Sequence, residues 1–135
     1  MKTSDNNKVP LQLRHIVITE TTFKSCNNIK QLLKLTRYNC LVDCYKKSNE
    51  LVQKESAYLP DCIILEIRSL YSLFSLGKKI EQLFETMPGI KLVLYYTMQR
   101  RYPLLEQKYR QYQQLHSTDD EKTQLQHLEL LLQKP

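Results

Sequence analysis

The chain has 135 residues and a formal net charge of +6, with 41% hydrophobic and 25% charged residues. This length suits one domain that can bury a core without a metal or disulfide staple. Only two glycines occur, which argues against a site built on Gly-rich phosphate-binding loops. The positive charge raises the prospect of a nucleic acid or an acidic protein as partner, but an ordinary solvated surface is the favoured explanation.

The N-terminal region and the cysteines indicate where the protein resides. No apolar run approaches the length of a membrane span, and the polar start lacks the apolar core of a signal peptide. We therefore predict a cytoplasmic protein with no membrane contact. Cys40 and Cys44 form a CxxxC pair, but no second pair follows at metal-ligand spacing, so we predict no metal and no cofactor. In a reducing cytosol the four cysteines are interpreted as small hydrophobic residues.

Short apolar runs alternate along the chain with segments of helical spacing. The predicted strands are Leu11–Ile18, Leu41–Tyr45, Cys62–Ile67 and Ile90–Tyr96. The predicted helices are Phe23–Thr36, a short one from Ser48 to Leu59, Ser72–Thr86, Pro103–Leu115 and Asp119–Leu132. Strands that alternate with helices pair in parallel through right-handed crossovers, with functional residues at the carboxyl ends of the strands. The last forty residues give no clear fifth strand, which would leave the fourth strand at an edge of the sheet.

Two segments of the sequence resemble those of a known family. In Pro60–Ile67, a Pro-Asp pair leads into an apolar strand with an acidic residue near its end, and Met87–Leu94 leads from a turn into the next strand. In this order and spacing, from about His15 to Thr97, the chain resembles a response-regulator receiver domain. The alternative is an unrelated small α/β domain with the same alternation of elements.

The resemblance implies an α/β, CheY-like (flavodoxin-like) fold. Its doubly wound parallel sheet would have four or five strands, with an atypical helical C-terminal end. Residues 1–10 are predicted to be a disordered leader and residues 11–135 a single receiver-like domain, of which residues 98–135 are the divergent helical end.

The resemblance also assigns the phosphorylation machinery to positions of this chain. A working receiver binds Mg²⁺ through an acidic pair and the acceptor Asp, and a Ser or Thr and a Lys contact the phosphoryl group. Here the acidic pair falls on Thr19 and Glu20, the acceptor position on Glu66 and the Ser/Thr position on Tyr96. These departures predict a degenerate receiver that is not an enzyme.

The remaining positions of the phosphorylation machinery also depart from the receiver pattern. Thr97 comes one position after the Ser/Thr position and is expected to point elsewhere. The Lys is expected near Thr118, where none occurs. Glu66 either mimics a phospho-aspartate or is a residual polar group without a role. Thr19 and Glu20 are alternatively caps of the first helix.

The segment after the fourth strand is basic and rich in tyrosine. A candidate contact patch consists of Arg100, Arg101, Lys108 and Arg110, interleaved with Tyr102, Tyr109 and Tyr112. Such a segment can bind phosphates and stack on bases. The favoured interpretation is an amphipathic helix whose tyrosines face the sheet while the cations face water.

Two functions follow from these patterns. In the first, a receiver-like module resembling the amino-terminal domains of atypical LuxR-type regulators acts without phosphorylation, through a homodimer or through another transcriptional regulator, in bacterial transcription regulation. In the second, a small accessory protein binds nucleic acid through the basic segment. A working phospho-acceptor protein is a third hypothesis, which the departures from the receiver pattern disfavour.

Overall fold

The computed structural model describes residues 9–52 and 60–133. Strands and helices alternate along these two ranges, as the sequence pattern predicts. The strands are β1 (Val9–Thr19), β2 (Tyr38–Cys44), β3 (Cys62–Ile67), β4 (Lys91–Tyr96) and β5 (Gln113–His116). The helices are α1 (Phe23–Lys34), α2 (Ser48–Val52), α3 (Leu70–Phe74), α4 (Leu76–Thr86), α5 (Pro103–Glu106) and α6 (Glu121–Gln133), and a 3₁₀ turn spans Gln107–Tyr109.

The five strands form one parallel sheet in the order β2-β1-β3-β4-β5. All six residues of β3 are buried, because helices cover both faces of this central strand. The register places Glu66 beside Tyr95 and Tyr96 beside His116. The carboxyl ends of β3, β4 and β5 therefore meet at one edge of the sheet.

Two layers of helices enclose the sheet. On one face, α1 and α6 pack over alternate strand residues such as Ile18, Ile64 and Tyr95. On the other face, α3 and α4 cover the intervening residues, among them Leu65 and Tyr96. Successive residues of each strand thus belong to different cores, which decides the face on which each side chain of the site lies.

The sheet has a fifth strand, which agrees with the predicted four or five strands although no clear signal for it was found in the sequence. Residues 113–116 pair in parallel with Val93–Tyr96, so β4 is not an edge strand. The predicted helix Pro103–Leu115 is in fact α5, the 3₁₀ turn and β5. Gln113 and Gln114 carry no apolar strand signal, and their pairing is decided by the hydrogen-bonding groups that β4 offers.

Several other boundaries differ from the predictions. Val9 and Pro10, placed in the leader, belong to β1, and residues 1–8 lie outside the described residues. The predicted helix Ser72–Thr86 is two helices that meet at Ser75, and it begins earlier because Ser69 caps the N-terminus of α3. The short helix from Ser48 is described as far as Val52, and the rest of its predicted span lies outside the described residues.

None of the described helices has the length and apolar character needed to cross a bilayer.

Candidate functional site

Glu66 lies at the carboxyl end of β3 and is only 2% exposed. Its carboxyl group accepts three hydrogen bonds, all from hydroxyl groups. The Thr21 hydroxyl donates to Oε1 at 2.6 Å, and the hydroxyls of Ser25 and Thr97 donate to Oε2 at 2.9 Å and 2.5 Å. Both oxygens are therefore engaged inside the protein, which offsets the cost of burying this polar group.

Three separate elements place these hydroxyls around Glu66. Thr21 lies in the loop after β1. Ser25 lies in the first turn of α1, where its N–H donates to the Oγ1 of the capping Thr22 at 3.1 Å. Thr97 directly follows β4, and its N–H donates to the Ile67 carbonyl at 3.0 Å. Because the strands are parallel, their carboxyl ends bring all three together.

Thr97 does not point elsewhere as predicted, because alternation along β4 places it on the same face of the sheet as Glu66. Tyr96 lies on the opposite face and stacks on His116, with ring centroids 4.7 Å apart. Burial raises the pKa of Tyr96, as does the nearby Glu106. Thr97 is therefore the residue after β4 that contacts Glu66, and Tyr96 is a core residue.

Glu20 adopts a left-handed backbone conformation, with φ 58°, which is uncommon for a residue other than glycine. Its Oε2 accepts from the Ser48 N–H at 2.6 Å and its Oε1 from the Lys79 Nζ at 2.8 Å. Burial opposes the charge, but the hydrogen bonds from Lys79 and Ser48 outweigh this and lower the pKa of Glu20. The carboxylate thus holds α2 and α4 at this end of the sheet.

The alternative prediction that Thr19 or Glu20 caps the first helix is wrong, since Thr22 caps α1. Thr19 is fully buried, and its hydroxyl makes no hydrogen bond within the described residues. The residues at this end of the sheet do not fit a Mg²⁺ site. A threonine replaces one carboxylate, Lys79 holds the Glu20 carboxylate, and hydroxyls hold the carboxyl group of Glu66.

No lysine is among the hydrogen-bond donors to Glu66. Strand β5 ends at His116, two positions before the threonine near which the Lys was expected. Ser117 follows, and its N–H donates to the Tyr96 carbonyl at 2.9 Å. Burial lowers the pKa of His116, and the Arg101 charge adds to this effect.

The candidate basic patch is divided in the structure. Arg100, Lys108 and Arg110 are exposed. Arg101 is also exposed, but it forms an ion pair with Glu106, at 3.0 Å between Nη2 and Oε1. Burial opposes the charge of Glu106, but the hydrogen bonds from Arg101 and from the Tyr102 N–H lower its pKa.

The three tyrosines of this segment pack against the hydrophobic core on the face of the sheet that α3 and α4 cover. The Tyr112 ring stacks on Phe84, with centroids 6.2 Å apart. Because these rings are packed on the protein, they do not form an open platform for stacking on bases.

Several residues of the site were missed by sequence reasoning. Ser25 gave no signal, since a serine in a first helical turn is ordinary. Lys79 is 59 residues from Glu20 in the chain. The interpretation of all four cysteines as small hydrophobic residues is wrong for two of them, because Cys26 and Cys44 form a disulfide that joins α1 to β2.

The sequence matches no protein-family model and no curated protein. Solved structures nevertheless share its fold. A response regulator CheY-like protein from Mesorhizobium loti gives a TM-score of 0.59 at 14% identity, over 89% of this chain and 99% of that one. The pilus assembly protein CpaE from Caulobacter crescentus gives 0.61 at 15% identity, over 87% and 92%. At such identities the likeness establishes the fold, which is the CheY-like, flavodoxin-like α/β fold of receiver domains.

Proposed function

We propose that this chain is a receiver-like regulatory module that acts through protein contacts and without phosphoryl transfer. The observation that carries this proposal is the closed environment of Glu66. A nucleophilic carboxylate must reach the incoming phosphorus in line, and small misplacements are costly. Here both oxygens of the buried carboxyl group already accept hydrogen bonds from hydroxyls.

The contact between Glu66 and Thr97 supports a module that is held in one arrangement without phosphorylation. In a receiver, the Ser or Thr after the fourth strand responds to the phosphoryl group. In this chain Glu66 itself reaches the Thr97 hydroxyl, at 2.5 Å. We infer that the longer side chain of Glu stands in for a phospho-aspartate and keeps Thr97 in one position.

Exposed apolar side chains on α3 support contact with another protein. Tyr71 and Phe74 are 82% and 68% exposed, and their spacing of three residues places them side by side on the helix. We propose that this pair contributes to a homodimer or to association with another transcriptional regulator, in the bacterial cytoplasm. Two adjacent exposed aromatic residues are typical of interfaces.

Incubation with acetyl phosphate and Mg²⁺, followed by intact mass measurement, tests the absence of phosphoryl transfer. We expect no phosphoryl adduct on the wild-type chain, nor on a Glu66→Asp variant, because the variant still lacks the first carboxylate of the acidic pair. Glu66→Gln serves as the blank. An adduct on the wild-type chain that Glu66→Gln abolishes would contradict the proposal.

Sedimentation equilibrium over a range of concentrations tests self-association. We expect a concentration-dependent dimer that Tyr71→Ser/Phe74→Ser weakens by about tenfold or more in Kd. The matched control is Leu130→Ser on α6, at a residue that is 59% exposed on the other side of the sheet. An equal effect of the control, or a monomer at every concentration, would remove the support for a homodimer.

Nucleic-acid binding through the basic segment has less support, because Arg101 is paired with Glu106 and the tyrosines are packed. Titration with duplex DNA decides between the two functions. Tight binding with a steep salt dependence that Arg100→Glu/Lys108→Glu abolishes would favour the nucleic-acid function. We expect weak binding that these substitutions barely change.

A further inference from the structure

The Cys26–Cys44 disulfide lies close to the site and is open to solvent on one side. Cys44 is the last residue of the edge strand β2 and is exposed, whereas Cys26 is 4% exposed, in the first turns of α1. A surface cavity of about 220 Å³ is lined by both cysteines together with Thr21 and Tyr45. A thiol in solution can therefore reach the Cys44 sulfur, while Cys26 is shielded.

The other two cysteines lack this arrangement. Cys62 is 2% exposed in β3, and burial raises its pKa to about 12. Cys40 is half-buried on β2 and is not part of a disulfide. The bonded pair thus differs from Cys40 and Cys62 in joining one exposed residue to one buried residue of a helix.

A short series of contacts joins the disulfide to Glu66. The Cys26 N–H donates to the Thr22 carbonyl at 2.9 Å, and the preceding residue, Ser25, donates its hydroxyl to Glu66. On the other side, the residue after Cys44 accepts a backbone hydrogen bond from Thr21, at 3.4 Å. Two of the three hydroxyls around Glu66 therefore lie on segments that the disulfide ties to β2.

We propose that the Cys26–Cys44 disulfide is a site of thiol–disulfide exchange whose reduction loosens the hydroxyls that hold Glu66. The consequence for regulation rests on the function proposed above, in which Glu66 stands in for a phospho-aspartate and keeps Thr97 in one position. The exchange itself depends only on the exposure of Cys44 and the burial of Cys26.

The reductant is a dithiol. One of its thiolates attacks the Cys44 sulfur, the bond between the protein sulfurs breaks, and Cys26 leaves as a thiolate that then takes a proton. The second thiol of the reductant resolves the mixed disulfide. This step releases the Cys44 thiol and the oxidised, cyclic reductant, so that two electrons pass to the protein.

The test treats the full chain with dithiothreitol, alkylates the free thiols and maps the modified peptides. Hydrogen exchange is measured on the same samples. We expect both cysteines of the pair to become alkylated while Cys62 stays unmodified. At short labelling times, at which local opening dominates exchange, we also expect exchange of the amides from Thr21 to Cys26 to rise by about tenfold while that of α6 stays unchanged.

The matched control is the Cys26→Ser/Cys44→Ser variant. It should show the fast exchange of the reduced protein with and without dithiothreitol. Resistance of the disulfide to the dithiol while the fold is intact would overturn the proposal, as would reduction that leaves exchange near Glu66 unchanged or raises it equally throughout. A phosphoryl adduct on the wild-type chain would overturn the proposed function alone, since it is measured independently of both thiol readouts.

Discussion

Glu66 shows how a buried polar residue is accommodated at the end of a parallel strand. A carboxyl group at 2% exposure loses its hydration, and only hydrogen bonds from the protein can offset that cost. Three hydroxyls supply them, and hydroxyl groups rotate to suit an acceptor. The same three bonds tie the β1–α1 loop, α1 and the end of β4 to one side chain, so each donor contributes both to stability and to the arrangement of the site.

Replacing Thr97 by Val tests this accommodation. The side chain keeps its shape but leaves Oε2 of Glu66 with Ser25 as its remaining donor. We expect the free energy of unfolding to fall by about 1 to 2 kcal/mol, measured by urea denaturation. Thr118→Val, at an exposed position, should change it by less than about 0.5 kcal/mol. Equal effects of the two substitutions would mean that the Thr97 bond contributes nothing.

The lowered pKa of Glu20 predicts a pH dependence of stability. Because this pKa lies below its ordinary value of 4.5, the unfolded chain binds the proton more readily than the folded one. The stabilisation that the Glu20 carboxylate contributes is therefore complete above about pH 4.5 and is lost as the pH falls through the lowered pKa. We expect Glu20→Gln to reduce the free energy of unfolding at neutral pH and to match the wild type at low pH.

Urea denaturation across this pH range measures the effect. Glu85→Gln, on the exposed side of α4, is the control and should parallel the wild type throughout. A constant difference between Glu20→Gln and the wild type at every pH would contradict the assignment.

At the scale of elements, β5 is the segment whose structure depends most on its neighbours. It is four residues long and carries two glutamines, so it has little intrinsic preference for a strand. Pairing with β4 and the stack of His116 on Tyr96 hold it in place. The strands β3 and β4, in contrast, are apolar throughout most of their length, and their sequence alone predicts them.

His116 makes the stability of β5 depend on pH. Its pKa is lowered by burial and by Arg101, so the folded chain takes up the proton less readily than the unfolded one. The stability contributed by neutral His116 is complete above the ordinary pKa of 6.5 and is lost as the pH falls below it. We expect His116→Phe, which keeps the stack on Tyr96, to remove much of the loss between about pH 7.5 and about pH 5.5.

The exposed His127 provides the control for this experiment. His127→Gln should retain the wild-type pH dependence of the free energy of unfolding. If both variants retain it, protonation of His116 does not govern stability in this range.

At the scale of the whole molecule, the disulfide adds a constraint across the β1–β2 half of the sheet. It closes a loop between residues 18 positions apart. A loop of this length limits the unfolded chain and contributes about 3 kcal/mol to stability in the chain-entropy description. The remaining half, with β4, β5 and α6, carries no such link among the described residues.

Reduction should therefore lower the free energy of unfolding by about 3 kcal/mol, measured by urea denaturation with and without dithiothreitol. Cys26→Ser/Cys44→Ser should lie near the reduced wild type and should not respond to the reductant. An oxidised protein no more stable than the reduced one would show that the disulfide places no useful constraint on the unfolded chain.

The sequence by itself determined the alternation of elements and the central strands. Strands buried on both faces need apolar runs and amphipathic helices need helical spacing, and both patterns are local properties of the sequence. The prediction that Glu66 occupies the acceptor position came from one such apolar run, Cys62–Ile67. Tertiary structure alone decided the existence of β5, the inward direction of Thr97, and the donors to Glu66. These donors lie 45, 41 and 31 residues from it in the chain. Contacts across crossovers of that length depend on which strands become neighbours, and no local pattern of residues encodes that choice.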